Sequence, residues 1–259
     1  MNFLRPGHPP PVEFLCDGGP VSCAQAEGKA REALSMCNWY EYDLAEWEIR
    51  ELVERYKLAG HGLREPTEVF AGGPGVVVVD RGDERALEHM VWGLSPGAGV
   101  GNEARNEARN EAKNEGRSLI NFRHPQLEPW KSLIDNKARC VVPATSFAGS
   151  GRDAGGLSRV QWFARSNRKP FMFAGVWTNP RGARGTNGVP DVGEHRRYSI
   201  MTTEANAVVR PVDDVMPVIL TTAAEVEQWL AGSVEEALAL HRPAADDVIK
   251  VLADEKQAA

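Results

Sequence analysis

No run of this sequence approaches the ~20 apolar residues that a membrane-spanning helix needs. The opening residues MNFLRPGHPPP also lack the apolar stretch of a secretory signal, so a cytoplasmic location is expected. Cysteine is scarce. Cys16, Cys23, Cys37 and Cys140 show neither paired metal-ligand spacing nor the density of a disulfide scaffold, so reduced thiols are expected. A special cysteine here must be special for its reactivity. The GGPG turn, Gly72 to Gly75, lacks the following helix and lysine that a phosphate loop requires. No H-x-G or G-x-C context marks an ordinary cysteine hydrolase. No metal and no cofactor is expected.

What is present fits a globular protein of one domain or at most two: 259 residues, 42% hydrophobic and 25% charged. A net charge of −6 argues against a surface that binds polyanions everywhere, but the charge is uneven. From Ala223 onward eight acids face Arg242, Lys250 and Lys256, a net of −5. Between Arg117 and Arg139 five bases face Glu128 and Asp135, a net of +3. That basic stretch leaves room for a local nucleic-acid groove.

Residues 1 to about 35 hold only a weak helical stretch, AQAEGKAREALS, and read as an extension outside the core or a mis-assigned start. In MCNWYEYDLAEWEIRELVERYKLAG, Ile49, Leu52, Val53 and Tyr56 recur at helical spacing, and Asp43 with Glu46 forms a capping-box pattern. A helix is predicted there. PGVVVVD and HMVWGL read as strands. Residues 102 to 117 repeat NEAR, NEAR, NEAK, NEGR, with only alanine as apolar material, and are expected to form a surface insertion. SLINF, RCVVPATSF, QWFA, FMFAGVW, YSIMTTEAN and VMPVIL then form short strand-like runs, and AAEVEQWLAG and SVEEALALHR two short amphipathic helices. The expected class is α+β: strand-dominated, with a largely antiparallel sheet or barrel-like core and flanking helices. The domain is expected over 36–243, with 244–259 as an acidic tail.

Four segments, in order, resemble the SOS-response-associated peptidase family: MCNWYEYD, MVWGL, RCVVPATSF with AGVW, and TTEANAVV followed by MPVILTTAAEVEQWL. Each alone is weak, but their order and spacing are not. The resemblance implies a protein that covalently caps abasic sites in single-stranded DNA, with peptidase self-processing and a secondary lyase activity. Cys37 would be the nucleophile, exposed as residue one of the mature chain by autoproteolysis, by an aminopeptidase, or by translation from Met36. A free α-amine, with a pKa near ~7.7–8.0, is substantially neutral at cellular pH and attacks an aldehyde to give an imine. The thiol of the same residue then closes a thiazolidine, which an internal cysteine cannot do.

The resemblance also implies roles for Asn121 and Arg123 in an N-x-R motif: the amide orients the amine or sugar, and the guanidinium holds a phosphate. Two positions depart from the family. Gly149 stands where a glutamate is expected to shuttle protons, and Asp213 where a histidine is expected before M-P-V-I-L. Asp153 and His124 are the nearest other acid and histidine beside these motifs. DNA contacts are expected from Asn38, Trp39, Trp92, Thr202 and Thr203, with the two tryptophans stacking on unpaired bases. Trp47, Trp130, Trp162, Trp177 and Trp229 are expected in the core or in helix packing. The implied partner is single-stranded DNA with abasic sites, bound by a monomer that is nucleoid-associated when on DNA. The alternative is a catalytically degenerate paralogue that binds single-stranded or damaged DNA without chemistry.

Overall fold

Runs of β-branched and aromatic residues form the framework, because their stiff side chains pack well on a pleated surface. The computed structural model describes residues 38–54, 56–57, 67–94, 119–152, 158–178 and 196–252. The chain divides into Met1–Leu34 and Ser35–Ala259, and all described residues belong to the second unit. Cys37, the N-terminal stretch, the NEAR tetrads and Asp153 lie outside the described residues.

One sheet carries the order β14-β9-β8-β1-β3, built from β1 (Trp39–Tyr42), β3 (Thr67–Phe70), β8 (Ser146–Arg152), β9 (Ser158–Arg165) and β14 (Ile249–Val251). The second contains β4 (Pro74–Asp80), β5 (Arg85–Trp92), β7 (Arg139–Ala144), β10 (Phe171–Thr178) and β11 (Arg197–Glu204). Strand β11 pairs antiparallel with β10 and parallel with β5, so these five strands close on themselves. Closure removes the exposed edges that an open sheet would leave. Short β2 (Tyr56–Lys57), β6 (Asn121–Phe122), β12 (Val215–Pro217) and β13 (Ile219–Leu220) pair with its members.

Helix α1 (Glu46–Leu52) begins later than the capping pattern predicted. Ala45 is its N-cap, Glu48 Oε2 accepts from the Ala45 N–H at 2.7 Å, and the Asp43 N–H instead donates to Thr145 Oγ1. Residues 39–42, ahead of it, are strand β1. The alternating burial of Trp39–Tyr42 shows why: Tyr40 and Tyr42 face the core while Trp39 and Glu41 face outward. A short helix, α2 (Trp130–Asp135), precedes β7. Helices α3 (Ala223–Ala231) and α4 (Val234–Leu238) start at Thr222 and Ser233, whose hydroxyls accept from the N–H groups of Glu225 and Glu236.

Val76 to Val79 are all fully buried, which explains a continuous valine run where a one-sided strand would alternate. Trp229 of α3 lies across the barrel, its indole N–H donating to the carbonyls of Cys140 and Gly175. Tyr40, Phe147 and Phe163 carry the first sheet onto the barrel: Tyr40 meets Trp92 and Phe173 edge-on, and Phe147 meets Phe171 and Phe173. The result is one shared core. Two expectations change. Strand β14 pairs with β9 and Ile249 is buried, so the fold extends past residue 243 to Leu252. Trp47 is 60% exposed, and half-buried Trp177 lies beneath the guanidinium groups of Arg81 and Arg196, while Trp130, Trp162 and Trp229 are buried as expected.

Candidate functional site

Strand β1 leads into the site. Its register sets Trp39 opposite Ala148 on one side and Phe70 on the other. Asn38, one residue earlier and half-buried, is held by its carbonyl, which accepts from the Ala71 N–H at 3.0 Å. Because Ala148 is small, the rings of Trp39 and Trp162 meet over it, centroids 4.6 Å apart and edge-on. Phe70 stacks on Trp39 at 4.9 Å and is 51% exposed. Trp39 therefore belongs to an aromatic row on the outer face of the first sheet. The sequence did not single out Phe70, because only the β1–β3 register brings it beside Trp39.

The inner face of the same sheet holds Gly149. Pleat alternation puts it on the side of Phe147, away from Ala148 and Trp39. A Cβ at Gly149 would lie 3.1 Å from the Phe163 ring and 3.6 Å from both the Asp213 Cβ and the Val212 Cγ1. The structure thus brings Gly149 and Asp213 together, although 64 positions separate them in the sequence. Gly151 lies against the same segment, where any Cβ would overlap the Val212 carbonyl. The turn from Asn206 to Asp214 is fixed from within: Asn206 Oδ1 accepts from the Val208 and Val209 N–H groups, and its amide donates to the Ala244 carbonyl.

Asp213 is 6% exposed. Its Oδ1 accepts from the Val215 N–H at 3.2 Å, and the carboxyl lies against the backbone of Ser150 and Asp214. Burial pushes the carboxyl above its ordinary range, against the opposing pull of backbone donors at Val215, Ser150 and Asp214. A carboxyl so placed holds its proton to higher pH than a solvated one, which suits it to acid–base work.

The N-x-R segment approaches from β11. Asn121 is buried on β6, paired with Ile200, and Arg123 is half-buried two residues on. Thr202 of β11 donates its hydroxyl to the Phe122 carbonyl, and its own carbonyl meets His241 Nε2 at 2.9 Å. Thr203 pairs with Met216 of β12, directly after Asp213 and Asp214. Strands β6, β11 and β12 are thus paired one after another, and Val215 at the start of β12 donates to Asp213.

Three expected DNA contacts are corrected. Trp92 is 1% exposed, stacked with Tyr198, and donates its indole N–H to the Ile120 carbonyl at 2.8 Å, so its ring is core rather than a surface for bases. Thr202 and Thr203 are both buried, and the Thr202 hydroxyl is already committed. His124 is exposed. Among the described residues no helix is long and apolar enough to cross a membrane.

Residues 36–255 match the profile of a family described as SOS response associated peptidase. Solved structures share the fold. One protein from Bordetella bronchiseptica is 20% identical with a TM-score of 0.61, covering 83% of this chain and 98% of that one. A phage-related protein from the same organism is 19% identical with a TM-score of 0.60, over 83% and 93%. A protein from Bacteroides thetaiotaomicron is 20% identical with a TM-score of 0.55, over 90% and 91%. No curated protein matches the sequence.

Proposed function

From the premise that the chain belongs to the SOS response associated peptidase family, we propose that it caps abasic sites in single-stranded DNA through a thiazolidine on Cys37. The observation that carries this reading is the meeting of Gly149 and Asp213 beside the strand into which Cys37 leads. Cys37 is two residues ahead of Trp39 in the chain, a reach of at most ~7 Å. The chemistry needs an exposed α-amine, a neighbouring thiol and a group that carries a proton. The first two come from a mature N-terminus at Cys37, freed by self-cleavage, by an aminopeptidase or by initiation at Met36. The third is supported by the buried carboxyl of Asp213.

Asn121 fits a role in orienting the amine or the opened sugar, and Arg123 in holding a backbone phosphate. Trp39, with exposed Phe70 against it, offers the aromatic surface for an unpaired base, and Asn38 carries the chain from that surface to the nucleophile. The reading includes a monomer in the cytoplasm, nucleoid-associated when on DNA, with β-elimination from the imine as a secondary lyase activity.

One observation favours a second reading. Phe163, Val212 and Asp213 line the space that a side chain at position 149 would enter, as in a degenerate paralogue that binds single-stranded or damaged DNA without chemistry. Intact mass decides between them. The protein, expressed from its own gene, is incubated with an abasic single-stranded oligonucleotide. A chain beginning at Cys37 that gains the oligonucleotide's mass, and fails to do so as Cys37→Ala, establishes capping. A chain that begins at Cys37 and never crosslinks leaves the second reading.

A further inference from the structure

Strand β11 bonds to a different neighbour on each side. The Ile200 N–H donates to the Ile120 carbonyl at 3.0 Å on the β6 side, and the Met201 carbonyl accepts from the Val218 N–H at 2.8 Å on the β12 side. By alternation the backbone groups of Thr202 again face β6. In a continuing parallel ladder its N–H would meet the Phe122 carbonyl and its carbonyl would meet the N–H of residue 124. Strand β6 stops at Phe122, however, and the chain enters a turn in which the Leu127 N–H donates to the His124 carbonyl. At the Thr202 carbonyl stands His241, its Nε2 at 2.9 Å, while the Thr202 hydroxyl donates to the Phe122 carbonyl at 3.2 Å. A carbonyl only accepts, so Nε2 carries the hydrogen.

Arg123 is the residue at which the chain departs. It is half-buried, and among the described residues its guanidinium makes no hydrogen bond and no ion pair. A partly buried cation of this kind has a cost that an arriving anion removes. The ring of His241 is itself held firmly. Its backbone N–H donates to the Leu238 carbonyl at 3.0 Å, Leu240 beside it is buried, and the Ala244 carbonyl accepts from the Asn206 side-chain amide at 3.0 Å. Asn206 lies two residues past the end of β11, so the segment that carries the ring is tied to the strand whose carbonyl the ring meets. We infer that His241 is a positioning residue: by holding the Thr202 carbonyl it ends β6 at Phe122 and sets where Arg123 leaves the sheet to meet the DNA backbone. A continuing strand would fix Arg123 on the same face as Asn121, two residues earlier, and the break releases it from that direction. The inference rests on the proposed phosphate contact of Arg123.

The test has two arms, both on the protein purified from its own gene. The first needs neither DNA nor a variant: nitrogen NMR of the imidazole at neutral pH reports which ring atom carries the hydrogen. A slowly exchanging Nε2–H on His241 supports the inference, and a bare Nε2 overturns it. In the second, affinity for an unmodified single-stranded oligonucleotide is measured against salt, which leaves the chemistry of Cys37 aside. Each phosphate contact contributes about 0.7 to the slope of log affinity against log salt on single strands, and Arg123→Ala should lose about that much. His241→Leu, which fills the space without a donor, should lose the same, and combining it with Arg123→Ala should lose no more than either alone. His241→Gln, which can donate to the same carbonyl, should keep the wild-type slope. A folded His241→Leu protein with the wild-type slope overturns the inference, because a merely structural histidine would lower the melting temperature and leave the slope alone. If His241→Leu does not fold, His241→Asn, whose arm is too short for the carbonyl, takes its place with the same two outcomes. Arg123→Ala with the wild-type slope removes the phosphate contact and the inference with it. A wild type that binds no single-stranded DNA sinks the proposed function, while a bare Nε2 beside normal DNA binding sinks the role of His241 alone.

Discussion

The buried phenol pair that holds β1 to the barrel gives the sharpest test of the fold. Tyr40 Oη and Tyr198 Oη are 2.6 Å apart, and both side chains are essentially inaccessible. Burial raises both phenols well above their ordinary range, so each is a neutral hydroxyl, one donating and one accepting. Removing one oxygen by Tyr198→Phe leaves the Tyr40 hydroxyl buried without its partner, a loss of about 1–3 kcal/mol. Tyr40→Phe costs about the same for the same reason. Removing both replaces a matched polar pair by apolar rings of the same shape, which is nearly neutral. The double variant should therefore be about as stable as the wild type, with a coupling of roughly 1–3 kcal/mol against the sum of the singles. Equilibrium urea unfolding measures it, each single lowering the midpoint at constant slope. A double variant that loses the sum of the two singles would refute the argument. Because β1 carries Asn38 and Trp39, each single should also weaken DNA binding more than the double does.

Two further outcomes follow from the site. Asp213 has a native pKa above its unfolded value, so the native state binds more protons than the unfolded state between those two pKa values, and stability falls as pH rises through that window. Asp213→Asn, which keeps an oxygen for the Val215 N–H, should be more stable than wild type at pH 7, the gain disappearing below ~4 where the unfolded carboxyl is also protonated; a gain that persists at acid pH would contradict this. Trp92→Ala should lose about 3–5 kcal/mol in thermal unfolding because it empties core volume. Trp39→Ala should instead lose about 1–3 kcal/mol of single-stranded DNA affinity per base stacked; the reverse assignment in filter binding and calorimetry would overturn both placements.

Much of the framework is readable from local pattern. Four valines bounded by Pro-Gly and Asp read as a strand, and Thr222 and Ser233 each stand three residues before a glutamate, so each helix start is written in place. The order of MCNWYEYD, MVWGL, RCVVPATSF and MPVIL likewise identified the family, because a fold keeps its motifs in chain order. Local reasoning failed where one residue serves two patterns. The helical spacing of Ile49, Leu52, Val53 and Tyr56 runs past the end of α1 into β2, while ahead of α1 the capping pattern at Asp43 gives way to a strand because Tyr40 and Tyr42 alternate into the core. Trp92 and Trp39 are indistinguishable as letters, yet one is sealed by Tyr198 and Ile120 and the other lies on the outer face, since only strand pairing sets which side each ring takes. Which side chains stand at positions 121, 149 and 213 is a matter of sequence alone. That the bare backbone at 149 and the carboxyl at 213 share one space follows from a turn folded back onto a strand, a contact that no local interaction encodes.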